Sequence, residues 1–120
     1  NINAALGCAQ LENLDRYVAD KRETAACYAE FFKGKEDITF FTEPADCKSN
    51  YWLNAVVLKD KAAQLDFLEY TNDHGVMTRP VWELMNRLPM FEHCETDGLE
   101  NTEWLADRVV NIPSSVRLDK

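Results

Sequence analysis

The run from Gly75 to Phe91, GVMTRPVWELMNRLPMF, constrains this chain more than any other stretch. Gly75 stops a helical pattern, and a short apolar strand, Val76 to Arg79, follows. Next come the Arg79-Pro80 step, Trp82, a second proline at Pro89, and Phe91. A plain core strand does not take this sequence, because proline cannot donate to a ladder and arginine is costly to bury. The run therefore reads as a strand end that carries Arg79 and the aromatics out of the sheet.

The rest of the chain supplies the elements around that strand end. Residues 2 to about 33 carry a helical pattern, with Ala4, Cys8, Leu11, Leu14, Val18, Ala25, Tyr28 and Phe32 near a 3.6 period. The charged cluster Asp20-Lys21-Arg22-Glu23 interrupts the stripe and marks where a bend or register change would fall. Gly34 is the C-cap expected for this helix. So long a helix usually lies across another domain or subunit. Ile38 to Phe41 predicts a short strand stopped by Glu43-Pro44, and Tyr51 to Leu58 predicts the strongest strand. Ala62 to Asp73 predicts a helix with Leu65, Leu68 and Phe67 toward the core, ended by His74-Gly75. Glu83 to Cys94 reads as a loop with a helical turn. Leu99 to Val109 predicts a helix that Asn101 or Thr102 could cap, and Val110 to Pro113 a last short strand. The expected class is α+β, a small, mainly antiparallel sheet covered by helices. Residues 1–34 are read as a linking helix and 35–120 as the α+β layer.

Charge narrows the partners. With 21 acidic and 13 basic residues the net charge is −8, which opposes binding to nucleic acid or to an anionic membrane. One well-placed arginine would still suffice for a phosphorylated ligand. No apolar run approaches the roughly 20 residues of a membrane span, and no secretory signal is present. Cys8, Cys27, Cys47 and Cys94 match no zinc or redox spacing. Cys8 and Cys27 fall in the helical pattern and are expected as reduced core cysteines, which implies a cytoplasmic protein. The chain opens inside a helical pattern, so it is expected to be a piece of something longer.

Few residues carry chemistry. Arg79 is the leading candidate, as a planar donor for a carboxylate or diphosphate, against a plain surface arginine at a strand end. Trp82 fits either a core aromatic or a wall stacked on a nucleotide or sugar. Trp52 heads a hydrophobic strand and is expected in the core, with a pocket wall as the alternative. Asn86 would hydrogen-bond a sugar hydroxyl or cap a loop. His74 suits the negative end of a helix. His93, Cys94 and Glu95 are too close in sequence to converge on one ion, so no metal is assigned. Asp15, Asp20, Glu23 and Glu30 read as a solvated face.

Four segments, in order, resemble a known family. They are Asn3 to Asp15 (NAALGCAQLENLD), Asn50 to Asn54 (NYWLN), Gly75 to Phe91, and Leu105 to Ser115 with its Ile112-Pro113-Ser114-Ser115 ending. They are similar to the C-terminal region of DegT/StrS-type, pyridoxal-phosphate-dependent sugar aminotransferases, in particular the subgroup forming UDP-4-amino-sugars. Trp52, Asn54 and Asn86 depart from that pattern, where many members carry His, Tyr and His.

The resemblance implies the C-terminal small domain of a fold-type I aminotransferase. The full-length protein would be a cytoplasmic homodimer serving polysaccharide or glycan biosynthesis. It would use pyridoxal phosphate and transfer an amino group, typically from glutamate, to a UDP-linked 4-keto sugar. Arg79, Trp82, Asn86 and Trp52 would bind substrate. The family's Schiff-base lysine needs a desolvated site, and the seven lysines here sit in polar, loop or helix-surface contexts. This chain alone is therefore expected to bind no cofactor, to hold no catalytic residue, and to be inactive. Two other readings stay open: a dehydratase or regulatory relative, and a stand-alone ligand-binding or interaction module.

Overall fold

The computed structural model describes residues 1–117. Its order is α1 (Ile2–Leu11), α2 (Leu14–Phe32), β1 (Ile38–Phe40), β2 (Asn54–Leu58), α3 (Lys61–Asp73), β3 (Arg79–Pro80), a single 3₁₀ turn (Met85–Arg87), α4 (Glu100–Ala106) and β4 (Val109–Ile112). The strands form one antiparallel sheet in the order β1-β2-β4-β3, so the expected α+β class holds.

The N-terminal pattern folds as two helices, not one. The break falls at Glu12-Asn13 and not at the charged cluster Asp20 to Glu23. Asn13 turns its amide back onto the Ala9 carbonyl at 3.0 Å, and such local bonding competes with helix continuation. α1 buries none of its residues; Ile2 is 87% and Leu6 60% exposed.

Period-2 alternation decides the sheet. Asn54, Val56 and Leu58 of β2 and Val110 and Ile112 of β4 are buried on one face, while Ala55, Val57, Val109 and Asn111 on the other are half-buried. Val56 pairs with Val110, and both are fully buried. α2 brings Ala25, Tyr28, Ala29 and Phe32 onto this core, and α3 brings Ala63, Phe67 and Leu68. Leu65, expected inside, is 54% exposed. The inward place on that turn goes to Gln64, fully buried, whose amide donates to the Ala106 and Val109 carbonyls at 2.9 and 2.8 Å.

Other boundaries move for local reasons. Tyr51 to Leu53 stand outside β2, because Tyr51 takes a left-handed φ of 46° that no strand continues through. The strand expected over Val76 to Arg79 shrinks to Arg79–Pro80, at the sheet edge where proline is tolerated. α4 begins after Leu99, itself left-handed at φ 56°, and neither Asn101 nor Thr102 caps it. α4 ends at Ala106 because Val109 is drawn into register with Val57. Lys120, within the expected final segment, lies outside the described residues.

Three burial expectations fail. Cys8 and Cys27 are exposed, as are Cys47 and Cys94. Cys8 sits on the uncovered α1, and Cys27 on the side of α2 opposite Ala25 and Tyr28. Trp52 is 65% and Trp82 77% exposed, so neither is a core aromatic. Asp20 is 8% exposed instead of solvated; its carboxylate accepts both the Nε and the backbone N–H of Arg117 at 3.0 Å.

Candidate functional site

At the β3 edge of the sheet a cleft of about 560 Å³ opens between α2, the β1–β2 loop, the β3 segment and the end of β4. Arg79, Trp82 and Trp52 line it, together with Lys21, Met77, Asn111 and Ser115. Asn86 lies elsewhere, in a second cavity of about 410 Å³ with Phe91, Cys94 and Leu99. The structure thus brings together three of the four candidate residues.

Each wall has a local cause. Gly75, at φ +75°, ends α3 and lets the Val76 N–H reach back to the Thr71 carbonyl at 2.8 Å. The chain then returns along α3. Thr78 is buried, sharing a 2.6 Å hydrogen bond with Thr71 Oγ1 and accepting the Asn72 amide on its own Oγ1 at 3.0 Å. This anchor delivers Arg79 to the sheet edge opposite Asn111. The Arg79 guanidinium touches only the Met77 sulfur at 3.4 Å, and among the described residues no carboxylate pairs with it. By contrast Arg22, Arg87 and Arg117 are each bound to a carboxylate. A charged, planar fork exposed without a counter-ion is ready for an incoming anion.

The opposite wall hangs from the charged cluster of α2. Lys21 donates to the carbonyls of Trp52, at 3.4 Å, and Ser114. Arg22 donates to both oxygens of Glu43, at 2.6 and 3.0 Å, and to the Ser49 carbonyl. The Ser114 hydroxyl accepts the Asn54 N–H at 2.7 Å, tying the end of β4 to the start of β2. The bond from Arg22 and that from the Ser49 N–H hold the Glu43 carboxyl down from its ordinary 4.5 to about 2. The ion pair's contribution to stability is therefore complete above pH 4.5 and is lost as pH falls through about 2. Carboxyl ¹³C NMR is expected to read that low value for Glu43, and Arg22→Gln is expected to return it toward 4.5.

Among the described residues lining the cleft there is no carboxylate, although the chain carries −8 overall. Two cations and two indoles face the space. Such a surface can take an anionic group and cover a flat or apolar one.

Sequence reasoning missed Lys21. The signal was available: Lys21 precedes Ala25 by four positions, and Ala25 precedes Tyr28, Ala29 and Phe32 on the buried face of α2. The cluster that seemed to interrupt the stripe continues it with polar residues.

A single antiparallel sheet covered on one face by helices, with a cleft lined by Arg79 and Lys21 at its edge, defines a small α+β layer. The chain belongs to the DegT/DnrJ/EryC1/StrS aminotransferase family, whose model matches residues 1–120. It is 29% identical over 118 residues to EpsN of Bacillus subtilis (strain 168), a protein named for pyridoxal phosphate-dependent aminotransferase activity, covering 95% of this chain and 30% of EpsN. It is 28% identical over 116 residues to GDP-perosamine synthase of Escherichia coli O157:H7, again covering 95% and 30%. The aminotransferase TlmJ from Streptoalloteichus hindustanus shares the fold with a TM-score of 0.87 at 22% identity, over 98% of this chain and 31% of TlmJ. The chain thus spans about 30% of the length of these curated relatives.

Proposed function

We propose that these residues are the C-terminal, substrate-closing part of a pyridoxal-phosphate-dependent aminotransferase that aminates a 4-keto nucleotide sugar. The observation that carries this is the cleft itself: an unpaired Arg79 between two exposed indoles, with no acidic lining among the described residues. Arg79 would bind a carboxylate or diphosphate through its fork. Trp52 and Trp82 would cover the sugar or base and exclude water. Asn86, in the second cavity, has no part in this cleft.

Pyridoxal phosphate, when bound, supplies the electron sink for amino transfer. The residues here do not fit the role of holding it. Lys21, the lysine lining the cleft, has its ammonium taken up by the Trp52 and Ser114 carbonyls and so is not free to reach a cofactor. The Schiff-base lysine of this proposal therefore lies outside these 120 residues. The exposed apolar side of α1, with Ile2, Leu6 and Leu11, supports packing against more protein, the remainder of the enzyme or its second subunit. A UDP-linked sugar, glutamate as donor, a homodimer, a cytoplasmic location and a place in polysaccharide or glycan assembly complete the reading. Among the described residues no helix is long and apolar enough to cross a membrane.

The test uses the full-length protein with pyridoxal phosphate added. The expected result is a visible band that borohydride removes, with the cofactor then fixed to a lysine outside this region. ¹⁵N from glutamate should appear in a 4-keto nucleotide sugar, with UDP, GDP and dTDP forms compared. A folded full-length protein without the band overturns the proposal. So does turnover of the sugar without nitrogen transfer, which would point to a dehydrating relative.

A further inference from the structure

The loop that carries Trp52 has no regular structure between Phe41 and Leu53, yet it is held at both ends of one carboxylate. Glu43 receives both Arg22 nitrogens on its side chain and also accepts the Ser49 N–H. Its own N–H donates to the Tyr51 hydroxyl at 3.2 Å. Arg22 closes the loop a second time through the Ser49 carbonyl, and its guanidinium lies 5.6 Å from the centre of the Tyr51 ring. Within this knot Ser49 Oγ accepts the Tyr51 N–H at 2.9 Å, and Asn50 Oδ1 accepts the Trp52 N–H at 3.0 Å. Tyr51, at φ 46°, is kept in a conformation that costs a residue of its type energy. The next residue is Trp52, placed on the cleft wall with its carbonyl taken by Lys21.

We infer that Glu43 is a positioning residue, which acts through Arg22 and the Ser49–Tyr51 turn to stand Trp52 at the mouth of the cleft. This rests on the reading of the cleft as the substrate site. Glu43 is not among the residues lining the cleft, and its effect is indirect. The loop is fastened twice: Tyr51 packs on the core beside Phe40, and one bidentate ion pair and one main-chain bond meet on the Glu43 carboxylate. Loss of the negative charge leaves Arg22 without its partner and frees the left-handed turn to relax. Trp52 then samples positions away from the cleft, so binding weakens while the chemistry, performed elsewhere, continues.

The experiment compares Glu43→Gln, Trp52→Ala and the double variant in the full-length enzyme. It reads steady-state kinetics with a 4-keto nucleotide sugar and amide hydrogen exchange over residues 41–53. Glu43→Gln is expected to raise exchange in this loop and to raise KM for the sugar about 10-fold with kcat within about twofold. In the Trp52→Ala background the same change should add nothing to KM. If Glu43→Gln does not fold, Arg22→Lys replaces it, since a lysine keeps the charge but cannot bridge both Glu43 oxygens and the Ser49 carbonyl. Unchanged loop exchange overturns the inference. So does a KM effect of Glu43→Gln that persists without Trp52, or a normal KM in Glu43→Gln when Trp52→Ala alone raises it. If Trp52→Ala itself leaves KM unchanged, the reading of the cleft as the substrate site fails, and the inference falls with it.

Discussion

Arg79→Ala in the full-length enzyme is expected to raise KM for the nucleotide sugar or the amino donor about 30-fold, the equivalent of ~2 kcal/mol for a charge-assisted hydrogen bond. The free arginine makes no ion pair among the described residues, so its removal breaks no internal one and the fold should be unaffected. Steady-state kinetics with each substrate varied in turn identifies which anion Arg79 receives. Arg79→Lys should recover only part of the loss, because an ammonium carries the charge without the planar fork. Normal KM values for both substrates in Arg79→Ala would remove this residue from the site.

Gln64→Leu is expected to be the most damaging single change to the layer, at about 3 kcal/mol. Leucine fills nearly the same space, so the cost is not a cavity. It comes from the Ala106 and Val109 carbonyls, which lose the donor that a fully buried side chain now gives them. These two carbonyls flank the turn between α4 and β4, and β4 is the strand that joins β2 to β3. In hydrogen exchange of the full-length protein, the β4 amides should exchange about 100-fold faster, at 1.4 kcal/mol per tenfold. Unchanged β4 exchange would mean that solvent replaces the Gln64 amide at no cost. Arg79 sits on the strand paired with β4, so the same variant should also weaken the cleft.

Much of the sheet was legible. Aromatic and branched residues over Tyr51 to Leu58, and Val110 to Ile112 ended by Pro113, located β2 and β4 within a few residues. α3 was nearly complete, because Asp60 caps it by accepting the Ala63 N–H and Gly75 follows its end. Of the four candidate residues, Arg79, Trp52 and Trp82 line one cleft and Asn86 does not. What was not legible was burial. Trp52 and Trp82 have the composition of core residues, and only the left-handed turn at Tyr51 and the edge position of β3 leave their rings outside. Lys21 and Arg22 look like surface charges until the loop after β1 and the end of β4 fold back onto α2.

By itself, then, the chain's pattern of apolar residues determined the order of helices and strands but not all their bounds, since local periodicity and turn chemistry set the order. It determined the family resemblance and singled out Arg79 as a candidate. The tertiary structure alone decided which polar residues meet. Arg22 and Glu43 stand 21 positions apart, Lys21 and Ser114 93, and Asp20 and Arg117 97. No local signal encodes such pairings, because each forms only after the sheet has brought distant backbone together. The Lys21–Ser114 pairing is itself part of the cleft wall, and the cleft draws its lining from α2, the β1–β2 loop, the β3 segment and the end of β4, so its shape belongs to the fold rather than to any one stretch of sequence.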